Sequence, residues 1–169
     1  MKVIYTKGGE LVDIETLYRQ YFSTVYKYIL SVSRDSHTAE EITAQTFFKA
    51  MEKIDSFQGD TGVSAWLCRI ARNAYLDYIK KQSRHTELTD EYQDPAESPE
   101  ERLLETSKAK TVHRILHSLK EPYKEVFSLR TFGELSFADI AELFGKTESW
   151  ARVTFYRARI MIKEELDNE

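Results

Sequence analysis

From Val12 to Val32, apolar side chains recur at three- and four-residue steps: Ile14, Leu17, Tyr21, Val25, Tyr28, Ile29 and Val32. That spacing lays one apolar stripe along a long helix. Ser33 to Ser36 supply a polar break, and Thr38 with Glu41 makes a capping-box pattern for a second helix. Its stripe is Ile42, Phe47, Ala50, Met51, Ile54 and Phe57, while Glu40, Glu41, Gln45, Lys49 and Lys53 fall on the other face. Gly59 and Gly62 mark a loop. A third helix is predicted from about Ser64 to Lys81, with Trp66, Leu67, Ile70, Ala74, Leu76 and Ile79 on or near its buried side.

The pattern resumes at about Ser107, where Val112, Ile115, Leu116 and Leu119 predict a fourth helix. Pro122 suits the first turn of the next, whose apolar positions include Val126, Phe127 and Leu129 and which Gly133 breaks. Ser136 with Asp139 resembles a capping box, and Ile140, Ala141, Leu143 and Phe144 face inward on a short helix that Gly145 ends. Thr147 can cap a final helix, on which Ala151, Phe155, Ala158 and Ile162 form the packed face. The stretch Leu135–Leu166 therefore has the form of a helix-turn-helix, whose second helix lies in a DNA major groove.

Between the two blocks, HTELTDEYQDPAESPEERLLE holds Pro95 and Pro99 and has no apolar period before Leu103 and Leu104. Such a composition buries too little apolar surface to offset ordering, so residues 85–108 are expected to be a flexible acidic linker. The fold class expected is all-α: a tail (1–11), a helical domain (12–84), the linker, and a helix-turn-helix domain (109–169).

Net charge is −4, which at first argues against a nucleic-acid partner. Its distribution answers the objection. Residues 1–85 carry 12 basic and 10 acidic side chains, residues 86–108 carry 2 and 8, and residues 109–169 carry 10 of each. The acidity sits in the linker and leaves basic faces elsewhere. On the third helix these are Arg69, Arg72, Lys80, Lys81 and then Arg84, against a single Asp77. Trp66, Tyr75 and Tyr78 lie among them, a mixture that suits single-stranded nucleic acid, although rings at helical spacing are more often core. On the final helix Ser149, Arg152, Val153, Tyr156, Arg157, Arg159 and Lys163 remain outside the packed face. Arg152 and Arg157 can reach guanine edges, and Arg159 and Lys163 are better placed for phosphates.

Taken together, the blocks Ala39–Phe57, Ala65–Lys81, Leu119–Gly145 and Val153–Leu166 resemble the extracytoplasmic-function sigma factors. These are the minimal two-domain sigma factors of bacterial RNA polymerase. The resemblance implies a region 2-like bundle and a region 4-like helix-turn-helix, and a protein that binds core polymerase, recognises promoter −35 and −10 elements and assists melting. It implies that Glu40, Glu41, Gln45 and Lys49 dock on the β′ clamp helices, with the β flap as a second polymerase contact. The loop around Phe57, Gln58 and Asp60 would take a flipped −10 base, and Arg69, Arg72, Lys80, Lys81 and Arg84 would hold the melted strand. Ser149, Trp150, Arg152, Val153, Tyr156, Arg157, Arg159 and Lys163 would read the −35 element. An anti-sigma factor is an expected partner. The chain departs from the family pattern at Ala44 and Gln45, where Gln and Glu are usual. It departs again at Trp150, usually small, and Thr154, commonly basic.

Other readings are weaker. A helix-turn-helix regulator acting without sigma exchange has no need of the basic third helix. For an enzyme, His113 and His117 are spaced as two zinc ligands can be, but no glutamate base lies between them and no third ligand stands out. No metal or cofactor is expected. Cys68, the single cysteine, lies among apolar positions and reads as a buried inert thiol. One cysteine, no run of membrane-spanning length and no signal-peptide core at MKVIYTKGGE lead to an expectation of a cytoplasmic protein, without membrane insertion, that an anti-sigma factor can hold at the membrane.

Overall fold

The computed structural model describes residues 3–5, 9–57, 59, 61–86 and 107–169. Its elements are β1 (Val3–Tyr5), β2 (Leu11–Asp13), α1 (Ile14–Ser33), α2 (Ser36–Lys53), a 3-10 turn (Ile54–Ser56) and α3 (Val63–Thr86), followed by α4 (Ser107–Ser118), α5 (Tyr123–Thr131), α6 (Phe137–Phe144) and α7 (Glu148–Asp167). β1 and β2 pair antiparallel with Ile4 opposite Val12. This small hairpin begins in residues expected to be a tail, where no periodicity foretells it. The remaining described elements are helical, as the sequence leads one to expect. Residues 87–106, most of the acidic linker, lie outside the described residues.

Caps set the helix starts. Asp13 accepts the Thr16 amide at 2.7 Å and opens α1. The capping box expected at Thr38 and Glu41 is replaced by Asp35, which accepts both the amide and the hydroxyl of Thr38. Aspartate is among the strongest N-caps, and here it takes the Thr38 hydroxyl as a donor, so the helix begins earlier. Ser136, Gly145 (φ +61) and Thr147 act as their positions predict, at the start and end of α6 and the start of α7.

In the N-terminal half, α1, α2 and α3 enclose Leu17, Tyr28, Ile29, Ile42 and Leu67, none of which keeps exposed surface. Two expected core residues are not core. Met51 is 40% exposed, because the buried arc of α2 centres on Ala39, Thr43, Thr46 and Ala50 and ends before it. Ile79 is 42% exposed, on the part of α3 that follows its last buried residue, Ala74. In the C-terminal half Val126, Leu129, Leu135, Ile140, Ala151 and Ala158 are buried, and α4 packs on α7 through Ile115, Leu116 and Ile162. Thr154 is also buried, so the departure from a basic residue there is a substitution in the packed face, not the loss of a surface cation.

The halves share one core: Val126, Leu129, Leu135 and Phe137 belong to the same buried cluster as Leu67 and Cys68. Tyr75 helps to close the bundle, donating its hydroxyl to the Val32 carbonyl at 3.2 Å. Burial first, then the neighbouring Glu121 carboxylate, pushes that hydroxyl up from 10.0 to about 12. A group whose pKa is raised by folding contributes stability that is complete below its unfolded value and is lost as pH rises through the folded one. Stability should therefore fall between about pH 10 and pH 12, and Tyr75→Phe, which has no proton to lose, should flatten that fall in urea titrations at stepped pH. An unchanged slope would show that Tyr75 is not held protonated by the fold.

Candidate nucleic-acid interface

The helix-turn-helix presents one face of α7 outward. Ala151, Thr154, Ala158 and Ile162 are buried, which leaves Ser149, Arg152, Val153, Tyr156, Arg157, Arg159 and Lys163 exposed. The expected residues divide into two groups. Ser149, Trp150, Val153 and Arg157 line a cleft of about 460 Å³ together with Tyr123 at the start of α5. Tyr156, Arg159 and Lys163 border a second cleft of about 470 Å³, whose apolar floor is Phe127, Ile160 and Leu166. Arg152 is steadied by Glu148 at 2.7 Å and lies 4.7 Å from the Phe137 ring. Trp150 is half-buried and packs on Phe144, ring centres 5.3 Å apart. The N-terminal group has the composition of a base-reading surface, with one guanidinium, one hydroxyl and an apolar contact.

On α3 the basic residues also divide. Lys80, Lys81 and Arg84 are exposed at its far end, whereas Arg69 and Arg72 turn toward the C-terminal half. A polar cleft of about 310 Å³ opens beside Arg69, lined by Phe57, Trp66, Thr61 and Asn73. Phe57 and Trp66 meet with ring centres 5.0 Å apart, so the cleft offers aromatic surface beside a cation. Gln58 and Asp60 lie outside the described residues. Of the three rings among the α3 cations only Trp66 reaches this cleft, since Tyr75 is bonded to Val32 and Tyr78 contacts Thr38 at 3.3 Å.

A third surface lies on α2. Glu40, Glu41 and Gln45 are exposed and Lys49 is half-buried, with Gln45 donating to Glu41 at 3.2 Å. Sequence reasoning missed Phe48, which is 59% exposed on the same face, one turn after Gln45. The signal was available in the doublet Phe47-Phe48: with Ala39, Thr43, Thr46, Phe47 and Ala50 on the core side, Phe48 falls beyond the edge of the buried arc. With Met51 it makes an apolar patch ringed by charge, the usual composition of a protein-docking surface.

The sigma-70 region 2 family model matches residues 17–85, and the sigma-70 region 4 model matches residues 109–162. The RNA polymerase sigma factor YlaC of Bacillus subtilis (strain 168) is 32% identical over 159 residues, 91% of this chain and 92% of its own. The chain belongs to the sigma-70 family. Within it the similarity extends to the extracytoplasmic-function group: the sigma factor SigM of the same Bacillus subtilis strain is 28% identical, over 90% of this chain and 94% of its own. The fold is shared with the sigma factor RpoE of Bartonella quintana, solved in complex with the anti-sigma factor NepR, at TM-score 0.80 and 22% identity, covering 92% of this chain and 97% of that one.

Regions 2 and 4 of this sigma factor meet along α3. Glu125 of α5 accepts from Arg72 Nε at 2.6 Å, from its second nitrogen at 3.3 Å and from the Tyr28 hydroxyl at 3.2 Å. Arg72 also lies 4.8 Å from the Phe144 ring. Burial disfavours its charge, and Glu125 more than restores it. Burial, and then the Glu125 charge, pushes the Tyr28 hydroxyl well above its usual value, so it remains a donor. Arg69 pairs with Glu142 of α6 at 3.0 Å, and Ser64 donates to the Gly133 carbonyl at 2.7 Å. Cys68 is buried behind this seam and burial raises its thiol to about 12, which matches the inert thiol expected from sequence. Of the two histidines considered as ligands, His113 stacks on Phe132 at 5.9 Å, and His117 has its Nδ1 buried without a hydrogen-bond partner.

Gly133 makes the close approach possible. A Cβ there would come within 2.7 Å of the Leu129 carbonyl and 3.3 Å of Cys68 Sγ. Gly133→Ala should therefore destabilise the chain by about 1–3 kcal/mol, the usual penalty of overpacking, read as a lower urea midpoint. An unaltered midpoint would mean that the seam yields at no cost.

Proposed function

We propose that this sigma factor divides promoter recognition between its two regions. Region 4 reads the −35 duplex through Arg152, Val153 and Arg157, with Ser149 and Trp150 beside them and Tyr156, Arg159 and Lys163 nearer the phosphates. Region 2 accepts a flipped −10 base in the cleft of Phe57 and Trp66, with Gln58 and Asp60 in the same loop, and its α3 cations follow the melted strand. The observation that carries this reading is the pairing of an outward cationic helix on a helix-turn-helix with a cleft of region 2 rings and cations that Glu142 of region 4 borders. Extruding a base costs a few kcal/mol, and stacking contributes about 1–3 kcal/mol per base, so one such cleft offsets much of the opening.

Polymerase supplies catalysis. The α2 face of Glu40, Glu41, Gln45 and Lys49, with Phe48 and Met51 at its centre, docks on the β′ clamp helices, and region 4 meets the β flap. Relative to the usual Gln and Glu, Ala44 removes a polar side chain from that face and Gln45 removes a charge, and exposed Phe48 supplies apolar area beside them. The chain itself carries no covalent step and acts without a metal or cofactor. It works in the cytoplasm with polymerase. Among the described residues no helix is long and apolar enough to cross a membrane. A regulator acting without sigma exchange would leave the region 2 cleft and the α2 patch without purpose.

Run-off transcription with purified core polymerase tests the whole reading. Core plus this chain should initiate on cognate promoters, and failure on every promoter it binds would overturn the proposal. On −35 duplex DNA, Arg157→Ala should cost about 1–3 kcal/mol and relax sequence preference. Lys163→Ala should weaken binding evenly and reduce the salt slope by about one. Variants that exchanged these behaviours would reverse the assignment of bases and phosphates.

An anti-sigma factor, soluble or membrane-anchored, is proposed as the regulator that covers the polymerase-binding surfaces. Affinity purification from cells under inactive conditions should recover such a protein, and polymerase subunits under inducing conditions. Recovery of polymerase alone in both would count against it.

A further inference from the structure

The region 2 walls of the cleft beside Arg69 are not equally held. Trp66, Arg69, Ile70 and Asn73 come from α3, a continuous helix packed on α1 and α2. Lys53, Ser56 and Phe57 come from the end of α2 and the 3-10 turn that follows it. Of the turn residues Ile54–Ser56 only Ile54 is buried. The bonds within the turn are local: Ser56 donates to the Lys53 carbonyl at 2.6 Å, and the Phe57 amide donates to the Ile54 carbonyl at 3.2 Å. A second support comes from a distant part of the chain. β1 lies against this turn and pairs with β2, Val3 opposite Asp13 and Ile4 opposite Val12. β2 is fixed at both positions. Val12 is buried in the same core cluster as Ile54, and Asp13 caps α1 through the Thr16 amide at 2.7 Å. A two-stranded hairpin by itself is marginal in water, so β1 persists through what it packs against.

We propose that the β1–β2 hairpin is a positioning element for the −10 cleft: β1 backs the Ile54–Ser56 turn and so fixes how Phe57 stands against Trp66. This rests on the reading of that cleft as the receptor of the flipped base. Binding residues on a loop keep their geometry only when a rigid support holds them. For Trp66 the support is α3 itself. For Phe57 it is Ile54 on the inner side and β1 on the outer side. The path from one wall to the other runs through the backbone. β1 is paired with β2, Asp13 joins β2 to the start of α1, and α1 packs on α3. Both walls of the ring pair, whose centres stand 5.0 Å apart, therefore share one frame. When β1 is lost the turn keeps its Ile54 anchor, so the fold persists and only the placement of Phe57 loosens. Reading of the −35 element by α7, in the other domain, is independent of this support.

The test uses the full chain carrying Ile4→Pro with Tyr5→Pro. Successive strand amides point to opposite edges, so one of the two prolines removes a donor to β2. Hydrogen exchange across residues 53–57 should accelerate about tenfold, while the urea midpoint stays at the parent value. The variant is then bound to core polymerase on a promoter from which the parent initiates. Open complexes, read by permanganate reactivity of unpaired thymines, should fall about tenfold, the scale of one lost base stack. Affinity for the −35 duplex of that promoter should not change. Val3→Asp sets like charges opposite one another at Asp13 and should act in the same direction more weakly. It decides the matter if the double variant does not fold. Unchanged exchange across residues 53–57, or duplex binding that falls as far as open complexes do, would overturn the proposal. Phe57→Ala with Trp66→Ala separates the two failures. If that pair loses open complexes while the hairpin variants match the parent, the support is wrong and the cleft reading survives. If it too matches the parent, or if the parent opens no promoter, the cleft reading fails and the support with it.

Discussion

Glu125 is the constraint around which the two halves are arranged. A carboxylate at 15% exposure is costly unless every oxygen finds a donor, and breaking such a pair from one side typically costs about 3–5 kcal/mol. Among the described residues region 4 supplies no ion-pair partner for it. The donors are Arg72 and Tyr28, from α3 and α1 of the other domain. Burial of Glu125 is therefore possible only in the docked arrangement. Because a guanidinium donates in a plane, the arrangement has a fixed orientation as well as a fixed contact. The apolar seam of Leu67, Cys68, Leu129 and Leu135 supplies the area, and the ion pair supplies the register.

That register decides which cationic surfaces remain open. α7 packs with Ala151, Thr154 and Ala158 against its own domain, so its cationic face points away from the seam. α3 has no such freedom. Its apolar side is committed to α1 and α2, and its first polar turns are committed to region 4, which leaves only Lys80, Lys81 and Arg84 at the far end. A helix with two obligations on adjacent faces has little surface to spare, which is why its cations behave differently along its length.

The sequence made the helices legible because each is amphipathic and most carry a recognisable cap or stop. Ser136, Gly145 and Thr147 are found where local chemistry places them. Periodicity was less reliable at the edges of stripes. Met51 and Ile79 match a three- or four-residue step but lie outside the arc that the neighbouring helices cover, and that arc depends on packing rather than on spacing. The capping role of Asp35 was hidden by a Thr-Glu pattern three residues later. The candidate site was legible as a set of residue types but not as a geometry. Nothing in the spacing of Arg69, Arg72, Glu125 and Glu142 says that they pair, since the partners lie 53 and 73 positions apart. The docked halves were equally invisible, because a seam of Leu, Cys and Gly reads like any domain core.

Segmental charge carries one more consequence. Residues 109–169 hold ten basic and ten acidic side chains, and a net of zero conceals an uneven placement. Glu125 and Glu142 pair with α3, and Glu121 lies close enough to shift Tyr75, whereas Arg152, Arg157, Arg159 and Lys163 line the opposite exposed helix. The domain thus turns Glu125 and Glu142 toward region 2 and the cations from Arg152 to Lys163 outward on α7, between Glu148 at the start of that helix and Glu164, Glu165 and Asp167 at its end. Fields of this kind act on orientation more than on affinity. A charge-neutral domain arranged in this way can be attracted to DNA by one side and to its own partner domain by the other.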